Sequence, residues 1–411
     1  MRLGFTLLIF GILVTGIILG EMSQTHASGV PLWVERLISW YNENKISEHD
    51  LVTALEFLSK NDIISLKTSE IQNILQKTPS KEYEIMVTNG LKHIVPLDKI
   101  KGGGPPKDGI PSIDDPQFAT LNGSAFMKHS DIVIGLEIDD QVKAYPLSIL
   151  VWHEIVNDNV GGTPVAVTYC PLCFTNQVFE RVLDGQEVEF GTSGKLYNSN
   201  LVMYDRLTDS YWSQALGTAI TGELTGQQLK IIPFDVILWG DWISLHPETL
   251  VLTRDTGYTR AYSVDPYRSY YTEPRIIFPV DNKDDRMHLK EIILGFNEGE
   301  IYKAYKQSDI ESKVVINDKI NELQIVLISM YTGNARAFDR NINGQVLEFV
   351  FSDGKIIDLQ TSSEWSYDGI AISGELEGVE MNRLPFNPGF WFEWVAFHPE
   401  TEIYENSENE K

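Results

Sequence analysis

The chain of 411 residues has only two cysteines, and they stand three apart in the run Tyr169-Cys170-Pro171-Leu172-Cys173. Thiols at i and i+3 can grip one soft metal ion or close a reversible disulfide. Pro171 stiffens the turn between them. A zinc site built on one C-x-x-C ordinarily draws two more strong ligands from a second such pair or from closely spaced histidines, and the chain offers neither. The best third ligand is His153, in Trp152-His153-Glu154-Ile155-Val156-Asn157-Asp158, with Met203 as a weak fourth. A histidine with two cysteines and a soft or open fourth position suits copper first, or zinc carrying a water. Glu154 would then orient His153 or act as a catalytic base. Taken singly, His153 reads as a satisfied polar residue on a helix and Met203 as core.

Two other chemistries stay open. Cys-Pro-x-Cys resembles the thioredoxin-type motif, whose first thiol is activated at a helix N-terminus. Here Phe174 to Leu183, followed by Asp184-Gly185, reads as strand and hairpin. A dithiol–disulfide function would therefore belong to another scaffold. The polar run Tyr197, Asn198, Ser199, Asn200, Asp205 and Arg206 could line a groove for a small polar ligand; a hairpin with a polar face explains it equally well.

An internal comparison singles these residues out. Ile132 to Tyr145 (IVIGLEIDDQVKAY) answers to Ile292 to Tyr305 (IILGFNEGEIYKAY), and Phe179 to Phe190 answers to Phe338 to Phe349. The stretch from Tyr211 (YWSQALGTAITGEL) answers to that from Glu364 (EWSYDGIAISGEL), and Pro233 to Thr249 answers to Pro385 to Thr401. A residue kept in both copies serves the fold; a reactive residue in one copy needs another reason. Asn157-Asp158 recurs as Asn317-Asp318, whereas His153 becomes Lys313 and no cysteine follows Val326. The first copy is also about six residues longer between its Phe and Trp landmarks, within Ser193 to Arg206. Joint absence from the second copy suggests one joint site. His246 and His398 share the same HPET context and read as structural, as do Trp212, Trp365, Trp242 and Trp394.

These residues must be positioned by a chain long enough for two or three domains. Its formal charge of −25 excludes nucleic acid and anionic membrane surfaces as partners, since both need a basic footprint. Arg2, the apolar run Leu3 to Leu19 and Thr25-His26-Ala27 form an export signal, cleaved or retained as a membrane anchor, so the rest is expected outside the cytoplasm. Two cysteines so close together staple little chain, which weakens a purely structural disulfide.

The expected organisation is an export signal or anchor over 1–27, a small helical module over 28–67 and a linker over 68–108. The motif-bearing first copy spans 109–256, a connector 257–285, and a degenerate second copy 286–411. Both copies should be α+β, mainly β. Expected strands are 132–138, 141–144, 164–169, 177–183 and 187–190, with hairpins at Asp184-Gly185 and Asn343-Gly344. Helices are expected over 146–156, carrying His153, and over 234–245.

The combination YPLSILVWHEIVND, TYCPLC and SGKLYNSNLVMYDR, over Gly109 to Leu252, resembles a family of exported bacterial and archaeal proteins, domain of unknown function 3179. The helical module is similar to short modules of exported archaeal proteins. The family resemblance implies that His153, Cys170, Cys173 and Tyr197 to Arg206 act together. It implies no activity, and a substrate or a protein redox partner stays unassigned.

Overall fold

The computed structural model describes residues 83–405 apart from 184 and 343; the export segment and the helical module lie outside the described residues. In chain order the protein forms β1 (Met86–Thr88), β2 (Leu91–His93), β3 (Lys101–Gly102), β4 (Phe118–Ala119), β5 (Ile132–Ile138), β6 (Gln141–Pro146), α1 (Leu147–Leu150), β7 (Ile155–Val160), β8 (Thr163–Cys170) and β9 (Thr175–Glu180). It continues through β10 (Val182–Leu183), β11 (Gln186–Glu187), β12 (Phe190–Tyr197), β13 (Asn200–Asp205), β14 (Tyr211–Ser213), β15 (Thr218–Thr221), β16 (Asp235–Leu238), α2 (Trp239–Leu245) and β17 (Leu250–Leu252). The second copy forms β18 (Ile292–Glu298), β19 (Ile301–Lys306), α3 (Gln307–Lys313), β20 (Val315–Ile320), β21 (Leu323–Tyr331), β22 (Asn334–Asp339), β23 (Asn341–Ile342) and β24 (Gln345–Val346). It closes with β25 (Phe349–Ser352), β26 (Lys355–Asp358), β27 (Glu364–Trp365), β28 (Ala371–Ser373), β29 (Arg383–Leu384), β30 (Asn387–Phe390), α4 (Trp391–Phe397) and β31 (Glu402–Ile403). The chain is thus α+β and mainly β.

The two copies correspond over their common strands, although β4 has no counterpart in the second copy and the β21–β22 ladder slips by one residue where β8–β9 runs unbroken. Sheet β16-β5-β6-β17-β4 matches β30-β18-β19-β31, with Gly135 opposite Ala144 in one and Gly295 opposite Ala304 in the other. Both glycines are required by close approach: a Cβ would stand 2.4 Å from the Trp242 ring in one copy and 2.4 Å from Trp394 in the other. Each indole then donates to a threonine hydroxyl, Thr249 or Thr401, at 2.9 Å, and each carries the HPET histidine against its face. The retained Asn-Asp pair has the same explanation. Asn157 and Asn317 bond the backbone of Phe190 and Phe349, and Asp158 and Asp318 accept from Tyr145 and Tyr305 at 2.6 Å.

Several expectations need correction. The segment 146–156 holds only the single turn of α1; the chain turns over Val151 to Glu154, and Ile155 and Val156 enter β7, where both are fully buried. β-branched residues facing a core on a pleated surface are better accommodated there than in a helix. Residues 234–245 split into β16 and α2. Of the segment assigned as linker, Met86 to Gly102 supplies β1, β2 and β3 to the seven-stranded sheet β1-β2-β15-β14-β13-β12-β3. The connector 257–285 buries Tyr262 and Tyr270 against the first copy.

The copies grip each other through matched strands of opposite chemistry. Asp235 of β16 is buried against the second copy, paired with Arg336 at 2.7 Å and Arg383 at 2.9 Å. Burial alone would raise that carboxyl, but the two guanidiniums outweigh it and hold it well below the usual carboxylate range. At the matched position of the other contact, Asn387 of β30 accepts from the Gln177 amide, a neutral pair. Asp235→Asn should destabilise the protein by about 3–5 kcal/mol, because it removes the buried carboxylate that Arg336 and Arg383 share and leaves the buried Arg336 with Asp368 as its one ion-pair partner. The triple change D235N/R336Q/R383I, which copies the opposite contact, should recover most of that loss. Urea unfolding followed by tryptophan fluorescence checks both.

Candidate functional site

Cys170 ends β8 and Cys173 precedes β9, so the motif is the turn of a β-hairpin, with Cys170 opposite Thr175. Phe174 completes the turn at φ 55, a left-handed conformation costly for a bulky residue; the second copy places Gly333 there. Phe174 is held by stacking on Phe390 and by edge contacts to Tyr169 and Tyr271. Both sulfurs are buried, carry no disulfide and stand 3.0 Å apart.

The extra length of the first copy reaches this turn. Strands β12 and β13 continue to Tyr197 and Asn200, closing on Asn198 and Ser199 at φ 50 and 64. The counterpart β25–β26 already turns back at Asp353-Gly354. At the longer tip the Ser199 carbonyl lies 3.6 Å from Cys173 Sγ and 3.9 Å from Cys170 Sγ. The Asn200 amide donates toward Cys173 Sγ (3.4 Å), Gln214 Oε1 (2.9 Å) and Glu393 Oε1 (3.1 Å), two hydrogens shared among three acceptors. Asn198 bridges the Ala396 carbonyl and the Asp281 amide.

Glu393 belongs to α4 of the second copy. It is delivered because β30 lies along β9 and the Phe390 amide donates to the Cys173 carbonyl at 2.8 Å. Burial raises the Glu393 carboxyl to about 8, with the Thr175 hydroxyl opposing. Burial likewise pushes the Cys173 thiol well above its ordinary value, helped by its bond to Cys170 and by the negative field of Cys170 and Glu393. The chamber therefore disfavours charge on sulfur and on carboxyl alike.

His153 is fully buried, but both ring nitrogens are spoken for. Nδ1 is 2.7 Å from the Pro111 carbonyl, which can only accept, so the proton is on Nδ1; Nε2 then accepts from the Tyr262 hydroxyl at 2.7 Å. Burial lowers the His153 pKa, the Pro111 bond opposes and the nearby Arg260 adds to the lowering. Glu154, at φ 61, is raised to about 8 by burial alone; Val314, its counterpart, has φ 65, so that turn serves the fold. Among the described residues no three His, Cys, Asp or Glu side chains converge as a metal-ligand group.

The remaining sequence candidates separate. Met203 is fully buried, cross-strand from Trp212 in the core that also holds both cysteines. Asp205 accepts from the Trp212 indole and the Thr208 hydroxyl, as Asp358 does from Trp365 and Thr361, so it secures a turn in both copies. Tyr197 packs on Phe397. Arg206 pairs with Asp114 at 3.2 Å and lines a separate polar cavity of about 380 Å³ with Asp108, Ser112, Tyr258 and Arg260. Sequence reasoning missed Glu393, Thr175, Gln214 and Tyr270, whose hydroxyl bonds the Leu172 carbonyl at 2.9 Å. One available signal for Glu393 was the acid it shares with Asp241 in the matched helices.

Residues 107–401 match the model of the family described as Protein of unknown function (DUF3179), so the chain belongs to that family. The matched span reaches well beyond the first copy, to which the sequence resemblance was confined. No curated protein and no solved structure matches the chain.

Both raised carboxyls bind a proton in the folded state that the unfolded chain has released above its ordinary pKa near 4.5. Stability should therefore fall as pH rises from about 4.5 to about 8 and level beyond it. Urea midpoints across this range should show the slope, and Glu154→Gln should flatten part of it.

Proposed function

For this member of the DUF3179 family we propose that Cys170 and Cys173 form a dithiol–disulfide redox centre. The observation that carries the reading is the pair of facing, buried thiols 3.0 Å apart, of which burial raises the Cys173 thiol. Closing a disulfide replaces two titratable thiols with a neutral group, which suits such a chamber. Two sulfurs on one tetrahedral ion at about 2.3 Å each would stand roughly 3.8 Å apart, and they would have to remain ionised. Engagement of both His153 nitrogens further favours the redox reading over a soft-metal centre. The export segment expected at residues 1–27 would deliver the dithiol to a compartment where disulfides persist.

The electron acceptor is a disulfide of a small molecule or protein. One thiol attacks it, forming a mixed disulfide and expelling one partner thiolate, which takes that thiol's proton. The second thiol attacks the first sulfur, closing the Cys170–Cys173 bond and releasing the second partner thiol. Two S–H bonds and the partner's S–S bond break; one protein S–S bond and two partner thiols form.

Titration of the purified protein with oxidised and reduced glutathione, with alkylation and mass measurement at each point, tests this. Two alkylatable thiols should disappear and return together, and Cys170→Ser should abolish the change. Stoichiometric copper or zinc, retained without chelator and lost in Cys170→Ser, would move the assignment to a soft-metal centre on the same sulfurs. Thiols that never oxidise would sink the redox reading.

A further inference from the structure

The dithiol belongs to the first copy, yet the acid that faces it comes from the second. We infer that Glu393 is the proton acceptor for Cys173 when the disulfide closes, and the donor when it opens, with the Thr175 hydroxyl as the relay between them. This rests on the dithiol reading above.

Geometry carries the assignment. Asn200 ties the two groups together, its single amide nitrogen lying 3.4 Å from Cys173 Sγ and 3.1 Å from Glu393 Oε1. The Thr175 oxygen is buried and committed to no fixed hydrogen bond. It belongs to the residue two places after Cys173, and its hydroxyl favours the ionised form of both Cys173 and Glu393. A rotatable hydroxyl at the corner shared by a thiol and a carboxyl can accept one proton and pass on its own. Gly389 keeps this corner open, since a Cβ there would stand 3.1 Å from Thr175 Oγ1 and 3.6 Å from Glu393 Oε2. The second copy is the contrast: Asn334 replaces Thr175 and is bound to Asp235, and Tyr331-Thr332 stands near the place of the thiols.

The chemistry needs such a group. When Cys173 attacks the Cys170 sulfur of a mixed disulfide, its proton must leave while the new S–S bond forms. Burial makes prior ionisation costly, so removal during attack is the lower route. The Asn200 amide steadies charge as it develops on Cys173 sulfur. The proton passes through Thr175 to the Glu393 carboxylate and then to the departing partner thiolate, which balances the exchange. Other ionisable groups on the surrounding elements are Cys170, Tyr197 on the hairpin tip, Tyr267, Tyr270 and Tyr271 of the connector, and Lys290 and Glu291 preceding β18. Burial and Thr175 are what set the proton affinity of Glu393.

The test starts from the full chain carrying a thionitrobenzoate mixed disulfide, accumulated at low pH, where protonated Glu393 holds closure back. A pH jump starts closure, read as release of the coloured thiolate. In the wild type the rate should rise about tenfold per pH unit and level near pH 8. Glu393→Gln should slow closure roughly 100-fold at that pH and abolish the plateau, so that the rate keeps climbing as the thiol itself ionises. Thr175→Val should do the same, and Asp241→Asn, at the matched position of the other copy, should change nothing. Reduced-minus-oxidised infrared difference spectra give a readout independent of the trap: a protonated-carboxyl band should shift on oxidation and vanish in Glu393→Gln. Identical pH profiles in wild type and Glu393→Gln, or no carboxyl change on oxidation, overturn the inference while leaving the dithiol intact. Absence of any closure in the wild type overturns the dithiol reading, and this inference with it.

Discussion

The structure depends on a reciprocal docking of strands between the two copies. Strand β30 lies along β9, fixing its Phe390 amide on the Cys173 carbonyl. Reciprocally, β16 lies against β22, through Asp235 and its arginines. Each copy thereby carries its terminal helix onto the hairpin turn of the other. A buried backbone polar group left without a partner is costly, so this docking is a requirement of the fold. Its consequence is chemical: the turn that bears the thiols faces an acid that neither copy could supply to itself.

The two contacts are built alike, but one is ionic and the other neutral. Asp235 with Arg336 and Arg383 makes one contact a fixed ionic lock. Gln177 with Asn387 leaves the other neutral. A full ion pair beside the thiols would set a strong local field there. With a neutral pair there instead, burial is the largest influence on Glu393 and on Cys173 and raises both. Anchoring and chemistry have thus been assigned to opposite ends of one pseudo-symmetric interface.

Local strain follows the same division. Phe174 and Ser199 hold left-handed backbone where the second copy uses Gly333 and Gly354. Such conformations cost on the order of 1–3 kcal/mol and persist only where the surroundings enforce them. Here the enforcing contacts are Phe390 on Phe174 and the Asn198 bonds to Ala396 and Asp281. The strain therefore sits where the hairpin tip, the thiol turn and the second copy meet.

Much of the architecture was legible in the sequence. Alternating apolar runs marked β5, β6, β8 and β9, and Leu183 does pair with Gln186 around Asp184-Gly185, because strand pattern and turn chemistry are local. Comparing the copies also picked out Cys170, Cys173 and the longer hairpin. It could not show that residues absent together need not touch: His153 vanishes with the cysteines, yet its ring serves Pro111 and Tyr262. Nor could it find Glu393, which stands 220 positions from Cys173 in a copy that looked merely degenerate. Periodicity reports which face of an element is buried, and spacing reports what one turn can bring together. Which distant side chain enters a buried chamber is decided by how the strands dock, and there the removal of water is the largest influence on proton affinity.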